Sequence, residues 1–344
     1  MCDLIAAELK RSSETIAKID PAQIRAAADM ILETVRHDGQ IIFMGNGGSS
    51  ADAQHIAAEF SGKYAFDRPP MAGVCLSNIA PVTAIGNDYS YDLVFKRQVE
   101  AICRKGDVVV GMSTSGNSKN VILALEAAKA KGAKTITFTG DQGKMREMAD
   151  LAVIIPTTET PRVQEGYLVA CHTICGIVER EMFGDKTVMV DRDGTIAVDV
   201  PYCADPDKIV LFPGAAEGIR ALNDAGYRVI LVTNQSGIGR GLVTHEQLAK
   251  VHERLCQLIE EKSGGHLDAI YYCPHHPDDK CSCRKPEIGM GIKAFMDFPI
   301  DPTRSYMIGD YDRDIQFGKR LGLKTFLVSE EFTFADAVKK ILDS

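Results

Sequence analysis

Residues 41–60 run IIFMGNGGSSADAQHIAAEF. Four apolar side chains in a row lead into a turn built on Gly45, Gly47 and Gly48, and helical patterning follows, so the stretch reads as strand, glycine-rich turn, helix. The same cycle recurs downstream. DVVVGM (107–112) precedes a helix over about 119–131, KTITFTG (134–140) precedes a short helix near 143–149, and LAVIIP (151–156) precedes a long helix from Pro161. Upstream, two helices occupy the first forty residues. Asp20-Pro21 supplies an N-cap and a first-turn proline, Gln23 completes a box-like cap, and Ile24, Ala28, Ile31 and Val35 repeat at helical spacing. A second series starts at TVMV (187–190) and continues through YRVILVT, AIYYC, SYMIG and KTFLV, with helices between. Apolar strands joined by helical crossovers predict parallel sheets covered on both faces. The expected fold class is therefore α/β, with two doubly wound parallel-sheet domains. Phe183-Gly184-Asp185 marks the seam, giving domains of 1–184 and 185–344 joined by a short stiff hinge.

The composition agrees. A chain of 344 residues with 45% apolar and 25% charged side chains suits two folded domains and excludes wholesale disorder. The net charge of −8, spread over both halves without a polybasic arm, argues against nucleic acid as a partner. No apolar run approaches the roughly 18–20 residues that span a bilayer, and MCDLIAAELKRSSE lacks the features of a signal peptide, so no membrane association is expected. Of ten cysteines, seven are scattered singly, while Cys273, Cys281 and Cys283 gather beside His275. That usage predicts reduced thiols in a cytoplasmic protein plus one metal cluster.

In the first half, the end of the second strand-like run reads VVVGMSTSGNSKN (108–120). Ser113, Thr114, Ser115 and Ser118 crowd one strand-to-helix turn. One serine would cap a helix; four hydroxyls at a helix start predict a phosphate site. The turn at 45–48 is not GxGxxG and has no acid at ribose distance, which argues against a dinucleotide. His55 and Glu59 stand at i,i+4 on one helix face, while Gln164 and His172 lie eight apart, about 12 Å along their helix. Such a set could hold zinc, or shuttle a proton between adjacent sugar carbons; spacing alone leaves both open.

GNGGSSADAQHIAAEF, GNDYSYD, STSGNS and QEGYLVACH occur in an order and spacing that resemble the sedoheptulose 7-phosphate isomerases of the sugar isomerase (SIS) family. The resemblance implies a SIS-type fold and an aldose–ketose interconversion through an enediol, with Glu59 as general base and His172 as general acid. It implies that His55 and Gln164 join Glu59 and His172 around a zinc ion where one is bound. Asn46, Gly47, Gly48, Asn87, Asp88, Ser113, Thr114, Ser115 and Ser118 would hold the sugar phosphate, with Gln164 also at the substrate. It further implies a homotetramer with helices packed at its centre and sites shared between subunits. Some members of the family only bind sugar phosphates or regulate; Glu59 and His172, with His55 and Gln164, are what separates the isomerases from them.

In the second half, TVMVDRDGTI (187–196) places Asp191 and Asp193 at a strand end. Carboxylates that close repel unless a cation lies between them, and Mg²⁺ accepts such oxygens together with substrate phosphate. LVTNQSG offers Thr233 and Asn234 at a second strand end, and MIGDYDRDI offers Asp310 at a third. In an open parallel sheet such ends share one crevice. CPHHPDDKCSCRKP (273–286) contains Cys273, His275, Cys281 and Cys283, enough for a closed zinc site with a structural role, on a loop that carries Arg284 and Lys285.

These motifs resemble the haloacid-dehalogenase-type phosphatases, which have a Rossmann-like fold. The resemblance implies that Asp191 attacks phosphorus, that Asp193 protonates the leaving oxygen and later activates water, and that Mg²⁺ is held by Asp191, Asp310 and the Asp193 carbonyl. Thr233 and Lys285 would offset phosphoryl charge. It also selects His275 over His276 as the zinc ligand. The zinc loop narrows the likeness to heptose 1,7-bisphosphate and histidinol-phosphate phosphatases; DGTIAVDVPYCADPDKIVLFPGA and the adjoining isomerase-like half favour the former. Tyr311 departs from the lysine common there. The expectation is a bifunctional enzyme acting on heptose phosphates; the alternative is a histidinol-phosphate phosphatase beside a non-catalytic SIS domain. A kinase must act between the two heptose steps, and no kinase motif is present, so such a kinase is an expected partner.

Overall fold

The computed structural model describes residues 2–344 and divides into two compact units, the first ending at Met182 and the second running Phe183–Ser344. In the first unit, α1 (Cys2–Ile16) and α2 (Pro21–Arg36) precede β1 (Ile41–Gly45) and α3 (Gly48–Ser61). Then come β2 (Gly73–Cys75), α4 (Ile79–Asp88), α5 (Val94–Ile102), β3 (Val108–Ser113), α6 (Lys119–Ala130), β4 (Lys134–Gly140), α7 (Met145–Met148), β5 (Leu151–Ile155) and α8 (Thr160–Phe183). The five strands form a parallel sheet in the order β2-β1-β3-β4-β5. Ile41, Ile42, Phe43 and Met44 are at most 1% exposed, as an apolar run on a central strand covered by helices requires. Each such side chain contributes about 1.5–3 kcal/mol of burial.

Asp20 caps α2 as expected, accepting from the Ala22 N–H at 2.9 Å. Gln23 does not close the cap. Its Oε1 instead accepts from the Ile154 N–H at 2.9 Å, because a long side chain at the sheet's edge reaches an open β5 donor. Between α3 and β3 the structure adds β2, α4 and α5, which the sequence reading does not contain. β2 is three half-buried residues, too short for a pattern to show. It nevertheless matters, because it places β1 between β2 and β3 and so creates the point where successive connections leave in opposite directions. In open parallel sheets ligands bind at the carboxyl ends of the strands that flank such a point, here β1 and β3.

The second unit contains β6 (Thr187–Val190), α9 (Ala215–Asp224), β7 (Arg228–Asn234), α10 (His245–Ser263), β8 (Ala269–Cys273), α11 (Gly289–Asp297), β9 (Tyr306–Gly309), α12 (Asp312–Arg320), β10 (Lys324–Leu327) and α13 (Phe334–Leu342). Its parallel sheet runs β10-β9-β6-β7-β8. β6 is central, and its switch point brings Asp191, Thr233 and Asp310 to one edge of the sheet. Val188, Val190, Val229, Leu231 and Ile308 pack one face with α9, α10 and α13, and Met189, Ile230, Val232 and Met307 pack the other. Among the described residues no helix is long and apolar enough to cross a membrane.

Candidate active sites

At the end of β1 the glycine turn is a close-packed surface. Gly47 has φ +54°, and a Cβ on Gly48 would lie 2.2 Å from Nε2 of Gln164, so the end of the Gln164 side chain rests directly on the turn. Gln164 thus stands at the glycine turn, one of the two places its predicted roles require. Asn46 is tied on both sides: its amide exchanges two 2.9 Å hydrogen bonds with Asn120, and Tyr91 donates to its Oδ1 at 2.9 Å. The Asn46 side chain therefore shapes the loop before it can meet a ligand. Asn120 and Tyr91 are residues the sequence reading missed, since nothing local marks a partner 74 or 45 positions away. Asn87 and Asp88 pair with each other at the exposed end of α4.

At the end of β3 the hydroxyls face inward on one another. Ser118 holds the N-cap position of α6 but makes no capping bond; its hydroxyl pairs with Ser113 at 2.8 Å, and Ser115 lies 3.4 Å from Ser113. The surplus hydroxyls are thus not used up as caps. With the N-terminal end of α6 they offer donors suited to an anion, and Thr114 belongs to the same turn.

α3 and α8 bring His55, Glu59 and His172 together, with one ligand atom of each within 4.8 Å of the others. His55 Nε2 is 2.9 Å from His172 Nε2 and 3.3 Å from Glu59 Oε1. Two imidazole nitrogens and a carboxylate oxygen fit a zinc ion, and equally suit proton transfer.

In the second unit three carboxylates converge: Asp191, Asp310 and Asp314 offer oxygens within 4.8 Å of one another. Asp314 is an addition to the predicted ligands. Its signal was an acid four residues after the strand-end Asp310, in the first turn of α12. Lys285, with a fully buried side chain, joins the group: its Nζ lies 3.0 Å from Asp191, 2.6 Å from Asp314 and 2.7 Å from the Val232 carbonyl. Its charge is committed to the aspartates rather than held out toward a phosphoryl group. Burial and the like charges of Asp191 and Asp314 push Asp310 up to about 6. Three crowded acids balanced by one ammonium are a donor set that fits Mg²⁺. The glycine after Asp193 is needed: with φ +74°, a Cβ on Gly194 would lie 2.1 Å from Asp310 Oδ2.

The Asp193 carboxylate is turned out of this cluster. Arg192 grips it with two bonds of 3.0 and 2.9 Å, and Gln235 donates to it at 2.9 Å. Only its main-chain carbonyl therefore remains for the predicted metal role. Burial raises the Asp193 carboxyl, the direction a general acid needs, while Arg192 opposes the shift. Thr233 accepts from Gln235 at 2.9 Å, and Asn234 clasps the Lys285 backbone through both its N–H and its carbonyl. Arg284 Nη1 is buried without a hydrogen-bond partner. A cavity of about 750 Å³ opens beside Gly194, Thr195 and Asp310, with Phe212 and Phe334 in its wall. Tyr311 lines it too, its ring lying 4.2 Å beneath the Arg313 guanidinium.

Cys273, His275, Cys281 and Cys283 converge at the end of β8, with neighbouring Sγ and Nδ1 atoms 3.2–3.6 Å apart. A zinc tetrahedron with bonds of about 2.0–2.3 Å has edges of roughly 3.3–3.8 Å, so the set fits zinc. His276 is occupied elsewhere, accepting from the Asp278 N–H at 3.2 Å.

The first unit is an SIS-type sugar isomerase domain: the SIS domain family model matches residues 6–140. Over 167 residues, 48% of this chain, it is 48% identical to the phosphoheptose isomerase of Burkholderia pseudomallei (strain K96243), covering 85% of that protein. Over 187 residues, 53% of this chain, it is 46% identical to that of Aliarcobacter butzleri, covering 99% of it. Through this unit the chain belongs to the phosphoheptose isomerase family. The second unit is HAD-like, the HAD-hydrolase-like model matching residues 282–343. It is similar to the D,D-heptose 1,7-bisphosphate phosphatase of B. bronchiseptica, solved with magnesium and phosphate, at 30% identity and a TM-score of 0.43, with 46% of this chain and 98% of that one covered.

Proposed function

We propose that domains 1–184 and 185–344 carry two separate activities on heptose phosphates. The first interconverts sedoheptulose 7-phosphate and D-glycero-D-manno-heptose 7-phosphate. Glu59 takes a proton from the carbon beside the carbonyl while His172 supplies one to the carbonyl oxygen; the enediol then collapses as its other hydroxyl gives a proton back to His172 and Glu59 returns its proton to the neighbouring carbon. The Ser113–Ser118 turn and the glycine turn hold the 7-phosphate, with Asn87 and Asp88 at the sugar. Zinc, where bound by His55, Glu59, His172 and Gln164, would polarise the substrate oxygens.

The second domain removes the 7-phosphate from D-glycero-D-manno-heptose 1,7-bisphosphate. An Asp191 oxygen attacks phosphorus, the P–O bond to the sugar breaks, and the leaving oxygen takes its proton from Asp193. Asp193 then draws a proton from water, which cleaves the aspartyl-phosphate. Mg²⁺ held by Asp191, Asp310, Asp314 and the Asp193 carbonyl would supply positive charge to the phosphoryl oxygens. Lys285 and Thr233 keep the crevice from repelling the incoming phosphate, and Asn234 and Arg284 meet the substrate. The zinc set pins the loop that carries Arg284 and Lys285.

The observation that carries this reading is the Asp191–Asp310–Asp314 cluster with its buried lysine, lying on the same chain as a phosphoheptose isomerase domain. Phosphoryl transfer to the sugar's C1 must intervene, so a heptose kinase is the partner implied. A homotetramer is supported by α1, none of whose described residues is buried, and which leaves Leu4, Ile5 and Leu9 exposed. Seven single thiols outside the zinc set support a cytoplasmic location. The test is to offer the purified chain both anomers of the bisphosphate and histidinol phosphate. A higher kcat/KM for a bisphosphate supports the reading, and a preference for histidinol phosphate overturns it.

A further inference from the structure

A histidine that takes part in chemistry is ordinarily oriented through its second ring nitrogen, held by a carboxylate or a carbonyl. His172 lacks that support: its Nε2 faces His55, and among the described residues no hydrogen-bond partner engages its Nδ1. What contacts the ring instead is Tyr64, stacked on the imidazole with centroids 5.6 Å apart and planes 29° from parallel. Tyr64 lies just beyond α3, in a loop that needs its own anchor. That anchor is Glu179, which lies wholly buried on the same helix as His172, seven residues on and thus on nearly the same face.

Glu179 accepts from the Tyr64 N–H at 2.8 Å, the Ala65 N–H at 2.7 Å and Arg68 Nε at 3.0 Å. Arg68 carries the connection back to α3, donating to the carbonyls of Glu59 at 2.7 Å and Phe60 at 2.8 Å. A buried ion pair is weak support for stability compared with apolar packing. Here its hydrogen bonds run to the backbone around Glu59 and Tyr64. Gly176, one turn after His172, leaves room for the ring: a Cβ there would lie 3.1 Å from Tyr64 Cε1.

We propose that Tyr64, clipped to α8 by Glu179 and Arg68, is a positioning residue for isomerisation, its stacked ring holding the His172 imidazole toward His55 and Glu59. This rests on the reading of His172 as a participant in the reaction. A misplaced catalytic group costs on the order of 100-fold in rate. Tyr64→Ala should lower the isomerase kcat by about 10–100-fold while KM moves less than about threefold. Tyr64→Phe, which keeps the ring, should restore kcat to within about twofold. Gly176→Leu gives an independent reading, since it favours the helix by about 1 kcal/mol yet displaces the ring; it should also lower kcat.

A wild-type kcat in Tyr64→Ala, a loss confined to KM, or a Tyr64→Phe variant as impaired as Tyr64→Ala overturns the proposal. His172→Asn separates the two layers. If it abolishes turnover while Tyr64→Ala and Gly176→Leu do not, only the positioning role fails. If it leaves turnover intact, the reading of His172 fails and the positioning role with it.

Discussion

The two clusters are built in opposite ways. In the second unit, Asp191 and Lys285 are at most 3% exposed, and a buried ammonium balances the acids from within. In the first, the side chain of His55 is 49% exposed, and the cluster sits across two helices whose relation is kept by a tyrosine stack and a buried ion pair further back. Phosphoryl transfer concentrates negative charge, so its site needs low dielectric and fixed countercharge. Moving a proton between neighbouring carbons puts less charge on the substrate, and its site needs a base and an acid held in fixed orientation.

The largest effects should divide cleanly between the units. Asp191→Asn should cut phosphate release by about 10⁴-fold or more and leave isomerisation within twofold, while Glu59→Gln should do the reverse with a loss of about 10²–10⁴-fold. Loss of both activities in either variant, in assays run side by side, would break the division. Next comes the metal loop. Cys281→Ser, or chelation, should lower the unfolding temperature of the second unit by roughly 10 °C while the first unit's transition stays in place. A single unshifted calorimetric transition would count against a metal there.

Acidity should sharpen the contrast more gently. Asp310, pushed up to about 6 by burial and its neighbours, must be ionised to hold a cation, so Mg²⁺ affinity should fall as pH drops through about 6. In the metal-free protein the sign reverses. A carboxyl with a raised folded value binds its proton more tightly when folded, so stability from this group should decline as pH rises from about 4 to 6. Titration calorimetry and melting curves across that window test both, and a pH-independent Mg²⁺ affinity would dissociate Asp310 from the cation. The smallest effect is expected at the hydroxyl turn. Ser118→Ala removes one of several donors and should raise the isomerase KM by about three- to tenfold, with kcat little altered.

Much of the site was legible because motif and strand end are local. The Asp191–Asp193 pair, the Cys273–Cys283 set and the Ser113–Ser118 turn each lie within about a dozen residues, where spacing alone constrains geometry. Asp314 was within reach too, one helical turn beyond Asp310. Asn120, Tyr91, Tyr64 and Glu179 were not. Each acts on a partner far along the chain or through a single ring contact, and residue type at such separations says nothing about proximity. Gln23 shows the same limit from the other side: a correct capping pattern was outbid by an open strand donor that only the folded sheet presents.

By itself the chain's order of residues determined the period of its elements, the parallel character of both sheets and the chemistry offered at each strand end, because apolar periodicity and turn residues act over a few neighbours. Which side chains would meet was decided only by the tertiary structure. Switch points, helix faces and buried countercharges arise when elements distant in sequence pack together, and the same carboxylate can then serve a cation, a lysine or an arginine according to what lies across the crevice.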